Sequence, residues 1–428
     1  VSTQLNHVDG YFSSFHSIYG SDWDSFTPYS SSNDLIYPTG VNPFVDHENN
    51  NFELRNVSSA IGSGTSVGFF GPQLIFAPNQ DIFGMERPTP SNSEPDIGAI
   101  ENDRAVRENI VYTVKQDGNG DFNTISQAIE SLGVNISFVP GDTILVFPGT
   151  YISNILIEKE IVLKSFEGPE LTILDGNNSG TVVSLNRHAT ANYNGQPDIN
   201  ANIVLDGFTI QNGYSSGPES ASGGVIIGVS NSLVKNCIIQ NNTSYQGGGM
   251  YLEGGLVTET QIINNTASFA GGGLVFIDRG INGFATGNLM NCLVANNQSE
   301  YGSGTFGPMS IAHATIAHNS GGNGMQSAGG SYIYNSIVYG NDGDQLNGTN
   351  ISVTTSLVPA SAGQDGAYPG FGNINENPRF VNPQEGDFSL GDFSPAIGSA
   401  FLLEWMNQDL YLDPRPAPSG SNPDMGAI

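Results

Sequence analysis

The sequence predicts an all-β chain built around a parallel β-helix, with a short N-terminal capping helix and irregular or β tail segments. Two repeats and one composition carry that prediction. A short β-branched segment ending in Asn or Gly recurs with a minimum spacing of 22 residues, and a stretch of about 100 residues occurs twice. The composition is rich in glycine, 55 of 428 residues, and poor in charge, 12%.

The short repeat runs through the middle of the chain. Phe208-Thr209-Ile210-Gln211-Asn212-Gly213 aligns with Cys237-Ile238-Ile239-Gln240-Asn241-Asn242 and with Gln261-Ile262-Ile263-Asn264-Asn265-Thr266. Cys292-Leu293-Val294, Ala314-Thr315-Ile316 and Ser336-Ile337-Val338 continue it. Taking 210, 239, 263, 294, 316 and 338 as the inward anchors gives steps of 29, 24, 31, 22 and 22. A fixed minimum with variable excess describes one coil carrying loops of different length. A turn of that size is too short for a helix pair and fits a β-helix, in which each strand pairs with its equivalent one coil on, about 4.8 Å away. Asn suits the corners because it tolerates left-handed backbone geometry. The glycine runs beginning at Gly247 and Gly271 repeat the loop into the next strand.

Upstream, residues 144–151, 155–157, 161–163, 171–174 and 181–185 read as strands of earlier coils, about nine coils being expected between 141 and 358. Before them, Thr124 and Gln127 have capping-box spacing, and Ile125, Ala128, Ile129 and Leu132 share one helical face. This predicts a helix over 124–132 that covers an open sheet end.

The long repeat sets the domain organisation. Phe44-Val45, Phe52-Glu53-Leu54 and Ser58-Ser59-Ala60-Ile61-Gly62-Ser63 recur as Phe380-Val381, Phe388-Ser389-Leu390 and Ser394-Pro395-Ala396-Ile397-Gly398-Ser399, offset by 336. Gln80-Asp81, Arg87-Pro88 and Pro95-Asp96-Ile97-Gly98-Ala99-Ile100 recur as Gln408-Asp409, Arg415-Pro416 and Pro423-Asp424-Met425-Gly426-Ala427-Ile428, offset by 328. Residues 1–102 are read as the C-terminal tail of a preceding module, 103–360 as the β-helix with its helix, and 361–428 as the tail of this module.

Composition bounds the function. Lys and Arg number 12 against 41 Asp and Glu, a net charge of −29, and no basic cluster offsets it locally. Such a surface repels phosphate backbones and anionic lipid, which argues against nucleic acid. No apolar run approaches the roughly 20 residues of a membrane span, so no membrane insertion is expected. Val1 opens no signal-peptide pattern, and a secretion signal is expected outside these residues. Cys237 and Cys292 have no zinc-binding spacing. Two coils apart, they stand beyond the roughly 7 Å that a disulfide allows, so buried free thiols are expected.

Val114-Lys-Gln-Asp-Gly-Asn-Gly-Asp-Phe122, the helix from Thr124 and Gly141-Asp-Thr-Ile-Leu-Val-Phe-Pro-Gly-Thr-Tyr151 resemble the opening of pectin-lyase-like right-handed β-helix proteins, pectinesterases included. The resemblance covers about 103–358 and implies the right-handed fold more than any activity. The tail, from Asn377-Pro378 through Ser394-Pro-Ala-Ile-Gly-Ser399 to Asp413-Pro-Arg-Pro416 and Asp424-Met-Gly-Ala-Ile428, resembles choice-of-anchor proteins of large secreted bacterial surface polypeptides. That resemblance implies export and an extracellular, cell-surface location.

No catalytic constellation is assigned. Of Asp206, Glu253, Glu259 and Asp278, only Asp206 and Glu259 share a coil register, with Lys235 between them. An exposed ladder of Asp, Lys and Glu accounts for these better than a glycosidase pair. A uronate lyase needs a basic residue with calcium or cations, and only Lys235 and Arg279 are on offer. The later pectinesterase segments, with paired aspartates and an arginine, have no match. Asp81-Ile82-Phe83-Gly84 looks similar to one but sits in the tail. His313 and His318 are read as surface or corner residues. Asp117, Asn119 and Asp121 have the opening spacing of a calcium loop, although the twelfth position is Ala128, so they stand as candidate calcium ligands in what reads first as a turn. Asp342-Gly-Asp344 is a weaker case. No cofactor is required, with calcium the one candidate.

The sequence therefore favours a non-catalytic structural or adhesive repeat module of a large secreted surface or filament protein. Its expected partners are copies of itself or neighbouring modules, with extracellular glycans as further candidates. The alternative is a polysaccharide-active, lyase- or hydrolase-like, or glycan-binding β-helix.

Overall fold

The computed structural model describes residues 18–20, 35–37, 44–46, 49–58, 60–64, 67–70, 73–76, 78–104, 108–131, 141–158, 160–185, 202–217, 222–228, 231–278, 287–327, 329–361, 364–403 and 406–428. They form two compact units, 1–112 with 121–144 and 113–120 with 145–428.

The second unit is a right-handed parallel β-helix with three long ladders and a short fourth of three strands, Tyr214–Ser215, Thr243–Gln246 and Thr266–Ala270. The first ladder runs through eight strands from Ile155–Ile157 to Leu346–Gly348, and the third through eight from Gly149–Ile152 to Ile337–Tyr339. Within this unit the second ladder also runs through eight, from Val162–Ser165 to Ile351–Thr354. Against the expected nine coils, the first and third ladders are thus eight strands deep among the described residues. One coil shows the path: Val225–Ile227 in the first ladder, Leu233–Lys235 in the second, Ile238–Gln240 in the third, then Met250–Leu252 back in the first.

Local chemistry sets the corners. Between the second and third ladders, Asn236, Asn291 and Asn335 have φ of 55°, 48° and 50°. After the third ladder, Asn212, Asn241, Asn264 and Asn296 have φ of 56°, 56°, 57° and 57°. Asn adopts this region at lower cost than other β-carbon residues because its amide bonds locally. The residue after each of the last three corners is a buried Asn, which begins a ladder running along the coil axis. Asn242 donates through N and Nδ2 to Asn265 Oδ1, both at 3.0 Å, and Asn265 does the same to Asn297 Oδ1 at 2.9 and 3.1 Å. Asn297, Asn319 and Asn341 continue it, and Gln345 Oε1 closes it, accepting from Asn341 Nδ2 at 2.9 Å. Each amide also donates across the coil to a backbone carbonyl, as from Asn297 Nδ2 to Ile262 O at 2.8 Å. The ladder satisfies backbone groups that the sharp corner would otherwise orphan.

The interior column is Ile210, Ile239, Ile262, Val294, Ile316 and Val338, each at 0% exposure. The expected third anchor, Ile263, is corrected to Ile262, because Ile239 pairs with Ile262 and Gln240 with Ile263. The 24-residue step of the glycine runs holds, since Met250 pairs with Leu274, but its extra residue is absorbed by a register shift between Thr243–Gln246 and Thr266–Ala270. In a strand a one-residue slip exchanges the two faces. Cys237 and Cys292 are buried free thiols, as expected, with Sγ donating to Lys235 O and Met290 O at 3.1 and 3.0 Å. Burial pushes both thiols up to about 12.

The expected strand over 144–151 is two, Thr143–Val146 and Gly149–Ile152, because Pro148 cannot donate to a ladder. The predicted helix forms as Ile125–Ser131 in the first unit, where Thr124 Oγ1 accepts from Gln127 N at 3.2 Å and Ile125 and Ala128 are buried. Leu132 lies outside the described residues.

The two copies of the tail fold alike. Phe44–Asp46 pairs antiparallel with Asn51–Leu54, Phe44 opposite Leu54 and Asp46 opposite Asn51. Phe380–Asn382 pairs with Asp387–Leu390 in the same register. The ring pairs Phe44–Phe52 and Phe380–Phe388 are both edge-on, at 5.5 and 5.2 Å. Gly62 N donates to Asp96 Oδ1 and Gly398 N to Asp424 Oδ1, both at 2.7 Å. The bonds before Pro88, Pro90, Pro416 and Pro418 are cis in each copy.

Candidate functional site

In the second unit the tail packs against the outer face of the third ladder. Phe388, Leu410 and Ala427 form one cluster with Leu293, Ala295 and Ala317, and Ala396, Ala400 and Met425 form another with Ile337 and Leu357. Polar contacts fix the seat. Asn291 Nδ2 donates to Gln408 O and its Oδ1 accepts from Arg415 Nη1, both at 2.8 Å. Ala427 N donates to Thr315 Oγ1 at 3.1 Å, and Gly426 N to Asn335 O at 2.8 Å. Asn335 exchanges bonds with the backbone of Phe401, at 2.8 and 3.0 Å.

His313 stands in this seam at a corner, φ 48°, where neighbouring coils have Asn291 and Asn335. Its Nε2 lies 2.9 Å from Asn335 Nδ2, and burial, with the Arg415 charge nearby, pushes its pKa down to about 3. His318 is also a corner residue, φ 54°, with its ring edge-on to Phe388 at 5.6 Å. Both corner placements agree with the sequence reading, and the two imidazoles serve packing.

Tail docking leaves a groove in the second unit. A cavity of about 290 Å³ opens along the second ladder, lined by Met290, Ser310, Ala312, Tyr334, Phe401 and Leu403 among others. Among the described residues its lining has no carboxylate, histidine, lysine, arginine or cysteine, and Met290, Ile311, Ala312 and Leu403 make an apolar seat flanked by Tyr334 and Phe401. Nothing in the sequence motifs marked it, because Tyr334 and Phe401 meet only through the folded tail.

The carboxylates do not converge. Asp206 is buried between two lysines, Lys164 Nζ at 3.4 Å and Lys235 Nζ at 3.6 Å from Oδ2. Asp206 pairs with Lys235 and Lys235 with Thr258, so the register expected for Glu259 is corrected: it sits one residue further on, at the corner, φ 47°. The same shift that moved the third anchor moved Glu259. The ladder is Lys164, Asp206, Lys235, and sequence reading missed Lys164 because its coil lacks the Asn-ended motif. Glu253 and Asp278 lie outside this ladder, and Arg279 falls outside the described residues.

The other acidic motifs serve turns. Asp81 Oδ1 accepts from Phe83 N and Met85 N at 2.8 Å, and Asp409 Oδ1 from Tyr411 N and Asp413 N at 2.8 and 3.0 Å. Asp342 Oδ2 accepts from Gly321 N at 3.0 Å. Asp117 accepts from Asn119 N and Nδ2 at 2.9 and 3.1 Å, and these bonds hold its carboxyl below the usual range. Asp117 and Asn119 belong to the second unit and Asp121 to the first. No cluster of three or more His, Cys, Asp or Glu that could hold a metal occurs among the described residues.

Along the short ladder of Thr243–Gln246 and Thr266–Ala270, Tyr245 stacks on Phe269 at 5.3 Å and Phe269 meets Tyr301 at 5.3 Å. Tyr245 and Phe269 lie face to face at 9°, Phe269 and Tyr301 are tilted at 57°, and Phe269 and Tyr301 are 36% and 42% exposed.

No protein-family model and no curated protein matches the chain. Among solved structures, pectate lyase Pel9A is similar over 74% of this chain and 96% of its own, at 13% identity and a TM-score of 0.45. Pectin methylesterase PemA from Erwinia chrysanthemi is similar over 68% and 99%, at 13% identity and 0.37. The pectin methylesterase from Aspergillus niger is similar over 62% and 85%, at 16% identity and 0.32. At these identities and scores none of them carries an argument about activity. No helix among the described residues is long and apolar enough to cross a membrane.

Proposed function

We propose that the chain is a non-catalytic structural or adhesive repeat module of a large secreted, multi-module surface or filament protein. The observation that supports this is the tail: the same fold occurs twice, and the second copy packs against the coil flank through Phe388, Leu410, Met425 and Ala427. In this reading the modules are 103–360 with the tail 361–428, and 1–102 is the tail of a preceding module. Neighbouring modules are its partners, and the reading requires no cofactor.

A second reading, a glycan-binding or polysaccharide-active β-helix, draws on the groove flanked by Tyr334 and Phe401, since aromatic rings beside an apolar floor suit a sugar face. A turnover screen on uronate polymers, with and without calcium, decides between the two. The structural reading expects no turnover in the full chain or in Lys235→Ala and Arg279→Ala. Turnover that either variant loses overturns it, and glycan binding lost in Tyr334→Ala shifts the role to recognition.

A further inference from the structure

The first tail carries the same docking face as the second, and in the first unit that face is a groove of about 540 Å³ lined by Phe44, Phe52, Leu54, Ile82, Ile97 and Ala99 among others. The counterparts in the second tail, by the offsets of the long repeat, are Phe380, Phe388, Leu390, Leu410, Met425 and Ala427. Phe380, Phe388, Leu410 and Ala427 belong to the cluster with Leu293, Ala295 and Ala317, and Leu390 and Met425 to the one with Ile337. Exposure separates the copies: Phe52 is 36% exposed and Ile82 65%, against 1% for Phe388 and 5% for Leu410.

The backbone and charge of the first tail match the same seat. A β-carbon on Gly426 would stand 2.8 Å from Thr315 Oγ1 and 2.9 Å from Ile337 Cδ1, whereas one on Gly98 meets nothing within 4 Å. Ile82 N donates to Ala99 O and Leu410 N to Ala427 O, so the segment carrying Ala99 has the backbone pairing with which Ala427 presents its amide to Thr315. Arg87 gives Nε to Glu101 at 2.7 Å and Nη2 to Gly98 O at 3.0 Å. Its Nη1 corresponds to the nitrogen that Arg415 gives to Asn291.

We infer that the groove of the first tail is a docking site for the flank of another β-helix module, a surface like the one formed here by Leu293, Ala295, Thr315, Ala317 and Ile337 with a corner Asn to accept from Arg87. The occupant is a parallel coil of the same chemistry, seated on this tail as the second tail seats on the coil of its own module. This rests on the structural reading above. Loss of docking refutes the seam alone, and uronate turnover refutes the reading alone.

The test uncovers the coil of the full chain and asks whether the first tail takes it. Phe388→Asp/Leu410→Asp places two carboxylates in the second tail's seam. Hydrogen exchange of residues 97–100 then reads occupancy of the first tail, whether docking occurs within a chain or between chains. Exchange at 97–100 slows about tenfold or more relative to the unmodified chain. Adding Phe52→Asp/Ile82→Asp returns it to the fast rate, and sedimentation velocity assigns the docking to one chain or two. If Phe388→Asp/Leu410→Asp loses its β-sheet circular dichroism, Phe388→Ala/Leu410→Ala serves instead. Exchange at 97–100 that stays fast with the coil uncovered, or stays slow in the fourfold variant, overturns the proposal.

Discussion

Asn297→Ala should be among the most costly single polar substitutions in the β-helix. The Asn297 amide makes four hydrogen bonds: Nδ2 to Ile262 O at 2.8 Å and to Asn319 Oδ1 at 3.0 Å, and Oδ1 from Asn265 N at 2.9 Å and Asn265 Nδ2 at 3.1 Å. Two of the four partners keep a second bond after truncation, because Asn265 Nδ2 also donates to Ile239 O and Asn319 Oδ1 also accepts from Asn297 N. The Asn265 amide loses its acceptor and the Ile262 carbonyl loses its side-chain donor, both inside the coil. At about 1–3 kcal/mol for each buried group left short, the cost is about 4 kcal/mol. The neighbouring Asn296 is an exposed corner at φ 57°, so Asn296→Ala costs only the left-handed backbone, about 1 kcal/mol. Urea unfolding of the full chain followed by circular dichroism measures both, with exchange at 262–265 and 319 as the local readout. An Asn297→Ala cost within about 1 kcal/mol of Asn296→Ala would refute the view that the ladder, more than apolar stacking, holds the corner.

The remaining predictions concern the seam, the pH response and the turn at Asp117. Gly426→Ala lowers the melting temperature and raises exchange over 423–428, since the new methyl meets Thr315 and Ile337, whereas Gly98→Ala meets only the backbone cost of its φ of 128°; equal shifts contradict the seat. His313 is neutral when folded, with its pKa down at about 3 against about 6.5 unfolded, so the stability it permits is intact above pH 6.5 and is lost as pH falls toward 3. By pH 5 that is about 2 kcal/mol, and His313→Asn, which installs the residue of the neighbouring corners, removes that slope. Asp96 runs the opposite way in the first unit: burial raises it to about 6, so it favours folding at low pH and loses that contribution as pH rises through about 6. Exchange at 423–428 and at 96–102 separates the two. Calcium leaves the melting temperature unchanged to within a degree, because Asn119 satisfies both oxygens of Asp117; a rise of several degrees that Asp117→Ala abolishes restores the ligand reading.

The coil was legible because its chemistry is local. An αL corner favours Asn, an inward strand position favours Ile or Val, and both recur with the coil period at Ile210, Ile239 and Ile316. The error at Ile263 arose because the Ile-Ile pair 262–263 stands one position later in its strand than the pair 238–239, so that similar motifs no longer marked equivalent positions. The Lys164, Asp206, Lys235 ladder was half legible, since Lys164 lies in a coil whose strands end without the Asn signal. Docking of the tail was written in the sequence only as repetition. Leu410, Met425 and Ala427 recur as Ile82, Ile97 and Ala99, but their partners Leu293 and Ala317 are about 100 residues away and carry no matching motif. The Tyr334 and Phe401 groove follows from that docking and inherits its invisibility.

Electron microscopy of the intact natural polypeptide tests the central claim most directly. Tandem modules, each with its tail seated on its own coil, predict elongated rods or fibres with a regular repeat, one β-helix per repeat. Single compact particles with no repeat would contradict the account.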